Sequence, residues 1–292
     1  AGMTKNVRAR SDKKRLHARS VLDVDPTMSD AAHDTRETEF RLTHPGPVPP
    51  VHTDRSRVEF TLQQQDAVAF LRSLATESID LLVTDPAYES LEKHRAVGTT
   101  TRLKRSKSSS NEWFAIFPNA RFPELFAEAY RVLRNHTHFY LFCDQETMFV
   151  AKPAAEAAGF RFWKPLIWDK RKIGMGYHYR SRYELILFFE KGKRRLADLS
   201  IPDVLEVPRI RGGYPAEKPP QVSEILIRQS SSEGDVVVDP FTGSGSVGVA
   251  ATTLQRHFLG SDINAEAIAM SKQRLTDAGA RSSQSLYDAL RA

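Results

Sequence analysis

Cysteine is nearly missing from this 292-residue chain: Cys143 is the only one. That excludes an internal disulfide framework and a cysteine-rich zinc site. The histidines form no pair at metal-ligand spacing, so no metal is expected, and His94 and His178 read as loop residues. No apolar run is long enough to span a bilayer, and no apolar signal core marks the first residues, so a soluble protein of the cytoplasm with no membrane partner is expected. Internal repeats and heptad runs are absent as well. What is present is 40% hydrophobic and 27% charged, a balance suited to one large α/β domain with an appendage. The net charge of +6 favours a polyanionic partner.

The chain is organised around Val238-Asp239-Pro240-Phe241-Thr242-Gly243-Ser244-Gly245-Ser246-Val247-Gly248. Residues 235–238 read as a buried parallel strand and residues 247–254 as the start of a helix. The glycine turn between them lets a ligand approach the backbone closely, at positions some of which call for φ > 0. The N–H groups of the following helix are unpaired and face that ligand. A second short strand, residues 257–260, leads to Asp262, where a carboxylate can accept hydrogen bonds from ribose hydroxyls. The spacing Gly243-x-Gly245-x-x-Gly248 also matches a dinucleotide fingerprint, which keeps a nicotinamide-dependent oxidoreductase open as an alternative. An ordinary strand-to-helix turn is the plainer alternative.

A second motif, Thr84-Asp85-Pro86-Ala87-Tyr88, ends the apolar run at residues 79–83, and hydride transfer has no use for it. Together the two stretches resemble the amino-methyltransferases of DNA bases, with a catalytic Asp-Pro-Pro-Tyr and a cofactor motif Asp-Pro-Phe-x-Gly-Ser-Gly. Catalytic motif first and cofactor motif late is similar to the permuted β group. Tyr214-Pro215-Ala216-Glu217-Lys218-Pro219 is similar to that group's His-Pro-Thr-Gln-Lys-Pro, and Gln65-Asp66-Ala67 stands where it has Gly-Asp. The resemblance covers roughly residues 58–275.

The resemblance implies a Rossmann-like S-adenosylmethionine-dependent α/β fold, mostly parallel with an antiparallel edge hairpin. It implies a bacterial or phage enzyme that methylates double-stranded DNA. Asp85 at the head of its motif points to adenine N6, with cytosine N4 as the alternative, and a non-catalytic nucleic-acid binder is a third reading. Asp85, Pro86 and Tyr88 take the catalytic places. Asp239, Phe241, Thr242, Gly243, Ser244 and Gly245 take the methionine and sugar region of the cofactor with Asp85 beside them, Asp262 the ribose, Asp66 the adenine amine and Lys218 the methionine carboxylate. Ala87 replaces the second proline, which keeps a carbonyl and loses only φ rigidity. Cys143 lacks the preceding proline that C5-cytosine chemistry needs and reads as core.

Around these motifs, residues 1–57 form a polar, basic and Pro-rich lead expected to be largely disordered. Residues 58–279 hold the catalytic domain and residues 280–292 a tail with a helix of unknown role. Residues 89–112 make a long polar loop, a candidate DNA clamp carrying Arg95, Arg102, Lys104, Arg105 and Lys107. Between hairpin strands at residues 162–168 and 183–189, cations and aromatics interleave: Lys170, Arg171, Lys172, Tyr177, Tyr179, Arg180 and Arg182. That mixture suits phosphate contacts and stacking on an unpaired base. Residues 191–213, with Lys193, Arg194, Arg195, Arg209 and Arg211, occupy the place of a target-recognition segment. Their shortness leaves room for a homodimer to complete recognition.

Overall fold

The structure, a computed structural model, describes residues 58–90, 115–174, 179–210 and 217–292. The basic lead, the greater part of the candidate clamp loop (with Arg95, Arg102, Lys104, Arg105 and Lys107), Tyr177 and Arg211 lie outside the described residues.

Among the described residues nine strands form one sheet, in the order β6-β4-β5-β3-β2-β7-β8-β1-β9. In chain order these are β1 (Glu59–Gln64), β2 (Ile79–Thr84), β3 (Leu133–Cys143), β4 (Arg161–Asp169), β5 (Tyr183–Lys191), β6 (Val204–Glu206), β7 (Val236–Asp239), β8 (His257–Asp262) and β9 (Arg281–Ser282). Of these nine strands, β5 alone runs against its neighbours, β3 and β4. The hairpin expected from the sequence is therefore present, and the short β6 adds one more strand outside it, parallel to β4.

Helices cover both faces, which is why the central strands are nearly unbroken apolar runs rather than alternating ones. Beyond an irregularity between Ile79 and Leu81, the side chains of β2 alternate between faces: Leu82 joins Ile79 in one apolar cluster, and Leu81 and Val83 join the other. The first cluster is closed by α1 (Ala67–Arg72), α2 (Phe122–Val132), α3 (Gln145–Ala157) and α7 (Gln284–Leu290). The second is closed by α4 (Pro220–Ser230), α5 (Ser246–Thr253) and α6 (Ala265–Asp277). Capping starts several of these helices: Asp66 accepts from the N–H groups of Val68 and Ala69, and Asp144 from that of Thr147. Each satisfies a donor that the helix itself leaves unpaired.

Residues 280–292 hold the helix expected there, α7, together with the short β9. β9 pairs with β1, and α7 buries Leu286, Tyr287 and Leu290, with the Tyr287 ring stacked on Phe70 at 6.3 Å between centroids. The apolar spacing of that stretch is what docks it.

Candidate active site

β2 lies between β3 and β7, so the chain leaves the sheet in opposite directions on either side of it. In an open parallel sheet that switch opens a crevice at the carboxyl ends of the strands. Leu81 pairs with Val237 and Leu82 with Val238, which brings the ends of β2 and β7 side by side. Thr84 and Asp239 meet there. The Thr84 hydroxyl donates to Asp239 Oδ1 at 2.6 Å, and the Phe241 N–H donates to the same oxygen at 3.0 Å. Burial pushes the Asp239 carboxyl up to about 7 against those two bonds.

A cavity of about 300 Å³ opens above this junction, a volume within the range of small-molecule sites. Asp85, Pro86 and Tyr88 line it from one side, Phe241, Thr242, Gly243 and Ser244 from the other, with Asp66, Lys218 and Asp262 completing the wall. Thus the two motifs converge. Gly245, between the lining residues Ser244 and Ser246, caps α5 with φ 81°, and a Cβ there would meet Ser271 Oγ at 2.9 Å. Gly243 is also left-handed, at φ 50°. Both need the freedom only glycine has.

The turn is held from behind. Asp262 accepts from Gly243 N–H at 2.9 Å through Oδ2 and from Asn264 N–H at 2.9 Å through Oδ1. The Ser271 hydroxyl donates to the Gly243 carbonyl at 2.7 Å. Arg274, on α6, donates to the Ser244 carbonyl at 2.8 Å and pairs with Glu217 at 2.8 Å. Thr242 is 4% exposed, and its Oγ1 is buried with no hydrogen-bond partner among the described residues. Such a hydroxyl in a cavity wall suits a polar ligand group.

Four charges alternate in a row that starts at Asp85 in the other wall and ends behind it at Lys170. Lys218 Nζ pairs with Asp85 Oδ2 and lies 3.3 Å from Glu184 Oε2. Lys170 pairs with Glu184 Oε1 at 2.5 Å. Burial pushes the Asp85 carboxyl up, with Lys218 pulling the other way. Burial also works against charge on Glu184, but the flanking Lys218 and Lys170 hold it below its ordinary value. Lys218 stays protonated between its two carboxylates, with its ammonium 5.0 Å from the centre of the Phe142 ring. Asp85 Oδ1 is buried and has no hydrogen-bond partner among the described residues.

Asp66 lines the cavity, but its carboxylate already caps α1 and takes a bidentate pair from Arg121, at 2.7 and 3.0 Å. That pairing holds its carboxyl below the usual range. Tyr88 is 8% exposed and packs within the first apolar cluster. Cys143 is fully buried and its thiol is pushed up by burial, so it is core, as expected.

The basic residues fall into two groups. Lys170, Arg171 and Arg182 pair internally, with Glu184, Glu206 and Asp169. Lys172, Tyr179, Arg180, Lys193, Arg195 and Arg209 are exposed, and Arg194 is half-buried. Residues that sequence reasoning missed are Arg121, Phe117, Phe142, Glu184 and Arg274. Only Glu184 carried a signal, as a lone acid entering an apolar strand.

The sheet order, with one reversed strand beside β3, is that of a Rossmann-like methyltransferase. The chain belongs to the DNA methylase family: the family's N6/N4 methyltransferase model matches residues 79–207 and 199–273. It is 29% identical over 238 residues to the type II methyltransferase M.HpaI of Haemophilus parainfluenzae, covering 72% of each chain. It is 28% identical over 267 residues to the DNA adenine methyltransferase YhdJ of Escherichia coli (strain K12), covering 77% of this chain and 86% of that one. Among solved structures, the cytosine-N4-specific PvuII DNA methyltransferase superposes with a TM-score of 0.60 at 16% identity, over 77% of this chain and 95% of that one. The M1.HpyAVI complex with S-adenosylmethionine superposes with a TM-score of 0.54 at 20% identity, over 74% and 100%. The family match decides between the readings of the glycine turn, in favour of methyl transfer.

Proposed function

We propose that the chain methylates the N6 amine of adenine in double-stranded DNA, using S-adenosylmethionine held over the glycine turn. The observation that carries this reading is the buried, unpartnered Asp85 Oδ1 in the same cavity as the Thr242–Gly243 turn. The residues present fit the cofactor: Thr242 Oγ1 and the turn N–H groups suit its polar end, Asp262 its ribose, and Phe117 and Phe241, in edge contact at 5.0 Å, its apolar surfaces. When bound, the cofactor supplies a sulfonium-activated methyl group for in-line displacement by the amine nitrogen.

The chain's own contribution is positioning and charge. Asp85 Oδ1 and the Pro86 carbonyl accept the two amine hydrogens and favour a more tetrahedral, nucleophilic nitrogen. The Asp85 charge lies where positive charge develops, which is electrostatic preorganisation. Asp85 then accepts the released proton. A paired base cannot reach the cavity, so the adenine leaves the stack, and Tyr88 offers the ring edge of its pocket. The exposed cations Lys172, Arg180, Lys193, Arg195 and Arg209 supply phosphate contacts.

Adenine is preferred over cytosine because Asp heads the motif, and the relative YhdJ is an adenine methyltransferase. Mass spectrometry of nucleosides from DNA methylated by the purified protein tests it. N6-methyladenine is expected, and N4-methylcytosine alone overturns the base assignment.

A further inference from the structure

Neither the motifs nor the similarities assign Glu184 a role, yet its placement is costly without one. It is the second residue of β5, a strand whose next seven residues are all buried. A carboxylate taken into such a place needs strong partners. Its two oxygens divide them: Oε1 meets Lys170 at 2.5 Å, and Oε2 lies 3.3 Å from the same Lys218 ammonium that pairs with Asp85 Oδ2. Lys218 is therefore shared, and Asp85 keeps Oδ1 unpartnered among the described residues.

We propose that Glu184 is a positioning residue for methyl transfer, drawing Lys218 between two carboxylates so that Asp85 keeps a free oxygen for the substrate amine and the site carries no surplus of positive charge. This rests on the reading of the cavity as an amine-methylating site. The charge balance gives the reason. Asp85 and Glu184 offset Lys218 and Lys170, so this group of four is neutral overall with its negative end at Asp85. Removing the Glu184 charge leaves two cations and one carboxylate beside a nitrogen that turns cationic during the reaction. Such a surplus opposes the developing charge it should stabilise.

Asp85 raises Tyr88, Cys143 and Asp239, and the charges that shift Asp85 itself are Lys218, Glu184 and Lys170. Of these, Glu184 and Lys170 are the two that change its titration without touching it. Glu184 raises the Asp85 carboxyl and Lys170 lowers it. Glu184→Gln should therefore move the acid limb of the rate profile to lower pH, and Lys170→Met should move it to higher pH. A folding defect would give no such opposite pair.

The test measures single-turnover transfer of tritiated methyl groups to unmethylated genomic DNA, against pH, for the wild type, Glu184→Gln, Glu184→Asp and Lys170→Met. For Glu184→Gln, the plateau rate should fall about tenfold while cofactor Kd and DNA KM stay within about twofold. Glu184→Asp should recover part of the rate. Carbon-13 NMR of the Asp85 carboxyl, assigned by its loss in Asp85→Asn, reads the same titration without catalysis. Opposite shifts in the two charge variants support the proposal. Unchanged rate and titration in Glu184→Gln overturn it, as does a lowered rate with no shift in either profile. A wild type that transfers no methyl group fails the methylation reading instead, and the NMR shifts then still decide the charge sharing.

Discussion

Thr84 and Asp239 stand 155 positions apart in the chain and share a 2.6 Å hydrogen bond in which the hydroxyl donates. One ends the strand that carries the catalytic motif, and the other ends the strand that carries the cofactor turn. The bond joins the two halves of the site at their base, beneath the cavity rather than within its ligand-facing wall.

Thr84→Val keeps the shape of the side chain and removes the donor to a carboxylate that is 2% exposed. The unfolding free energy from urea titration should drop by about 1–3 kcal/mol. Because the lost bond held the Asp239 carboxyl down, its folded value rises further above about 7. The loss should therefore be larger at pH 8 than at pH 6; equal losses would mean that Asp239 does not titrate against Thr84.

Asp85→Ala should lower the methyl-transfer rate by about 10²-fold or more. Cofactor binding by calorimetry should persist within a few-fold, since the glycine turn is held by Asp262, Ser271 and Arg274. Equal losses of binding and rate would contradict the role given to Asp85.

Arg274→Met removes the donor to the Ser244 carbonyl and the partner of Glu217. About 1.4 kcal/mol lost from the turn is a tenfold weaker cofactor Kd. DNA affinity without cofactor should not change. An unaltered cofactor Kd would show that the turn keeps its shape without this brace.

If the exposed cations contact phosphates, DNA affinity falls steeply as salt rises. The double variant Lys172→Gln, Arg180→Gln should reduce the slope of log K against log salt by about 2 (~0.9 for each phosphate no longer neutralised). A flat response in the wild type removes these residues from the interface.

His138 is 1% exposed, with Nδ1 at 2.7 Å from Ser230 Oγ and Nε2 at 3.2 Å from the Arg194 carbonyl. Burial lowers it to about 4, with the Arg194 carbonyl and Glu190 opposing and the Arg194 side-chain charge adding to the fall. It is neutral in the fold, while the unfolded chain takes up its proton below about 6.5. Its contribution is whole above that pH and is lost as pH falls towards 4, by about 3 kcal/mol. The stability difference between wild type and His138→Gln should therefore grow from pH 4 to pH 6.5; Asp80 and Asp239, raised to about 6 and 7, act in both proteins and cancel.

Much of the scaffold was legible because it depends on local pattern. β2 (Ile79–Thr84) ends where the sequence places it, an apolar run closed by Asp85-Pro86, and α5 (Ser246–Thr253) lies within one residue of the helix expected after the glycine turn. β6 was not legible, since three residues with only Leu205 buried carry no period. The partners within the site were equally hidden. Arg121 reaches Asp66 over 55 positions and Lys218 reaches Asp85 over 133, and no spacing rule connects residues that tertiary packing alone brings together. The motifs named the cavity's ligand-facing residues; the charges that tune them had to be seen in place.

The position of β1 also bears on how the polypeptide acquires its form. Phe60 pairs with Phe258, and Glu59 with Arg281, so this strand has no partner until nearly the last of the domain has left the ribosome. Pairings so distant in sequence are slow to close, and incomplete chains expose apolar surface meanwhile. Premature termination anywhere before β8 leaves the earliest strand stranded, which makes truncated products of this polypeptide targets for chaperones and proteases rather than partly working enzymes.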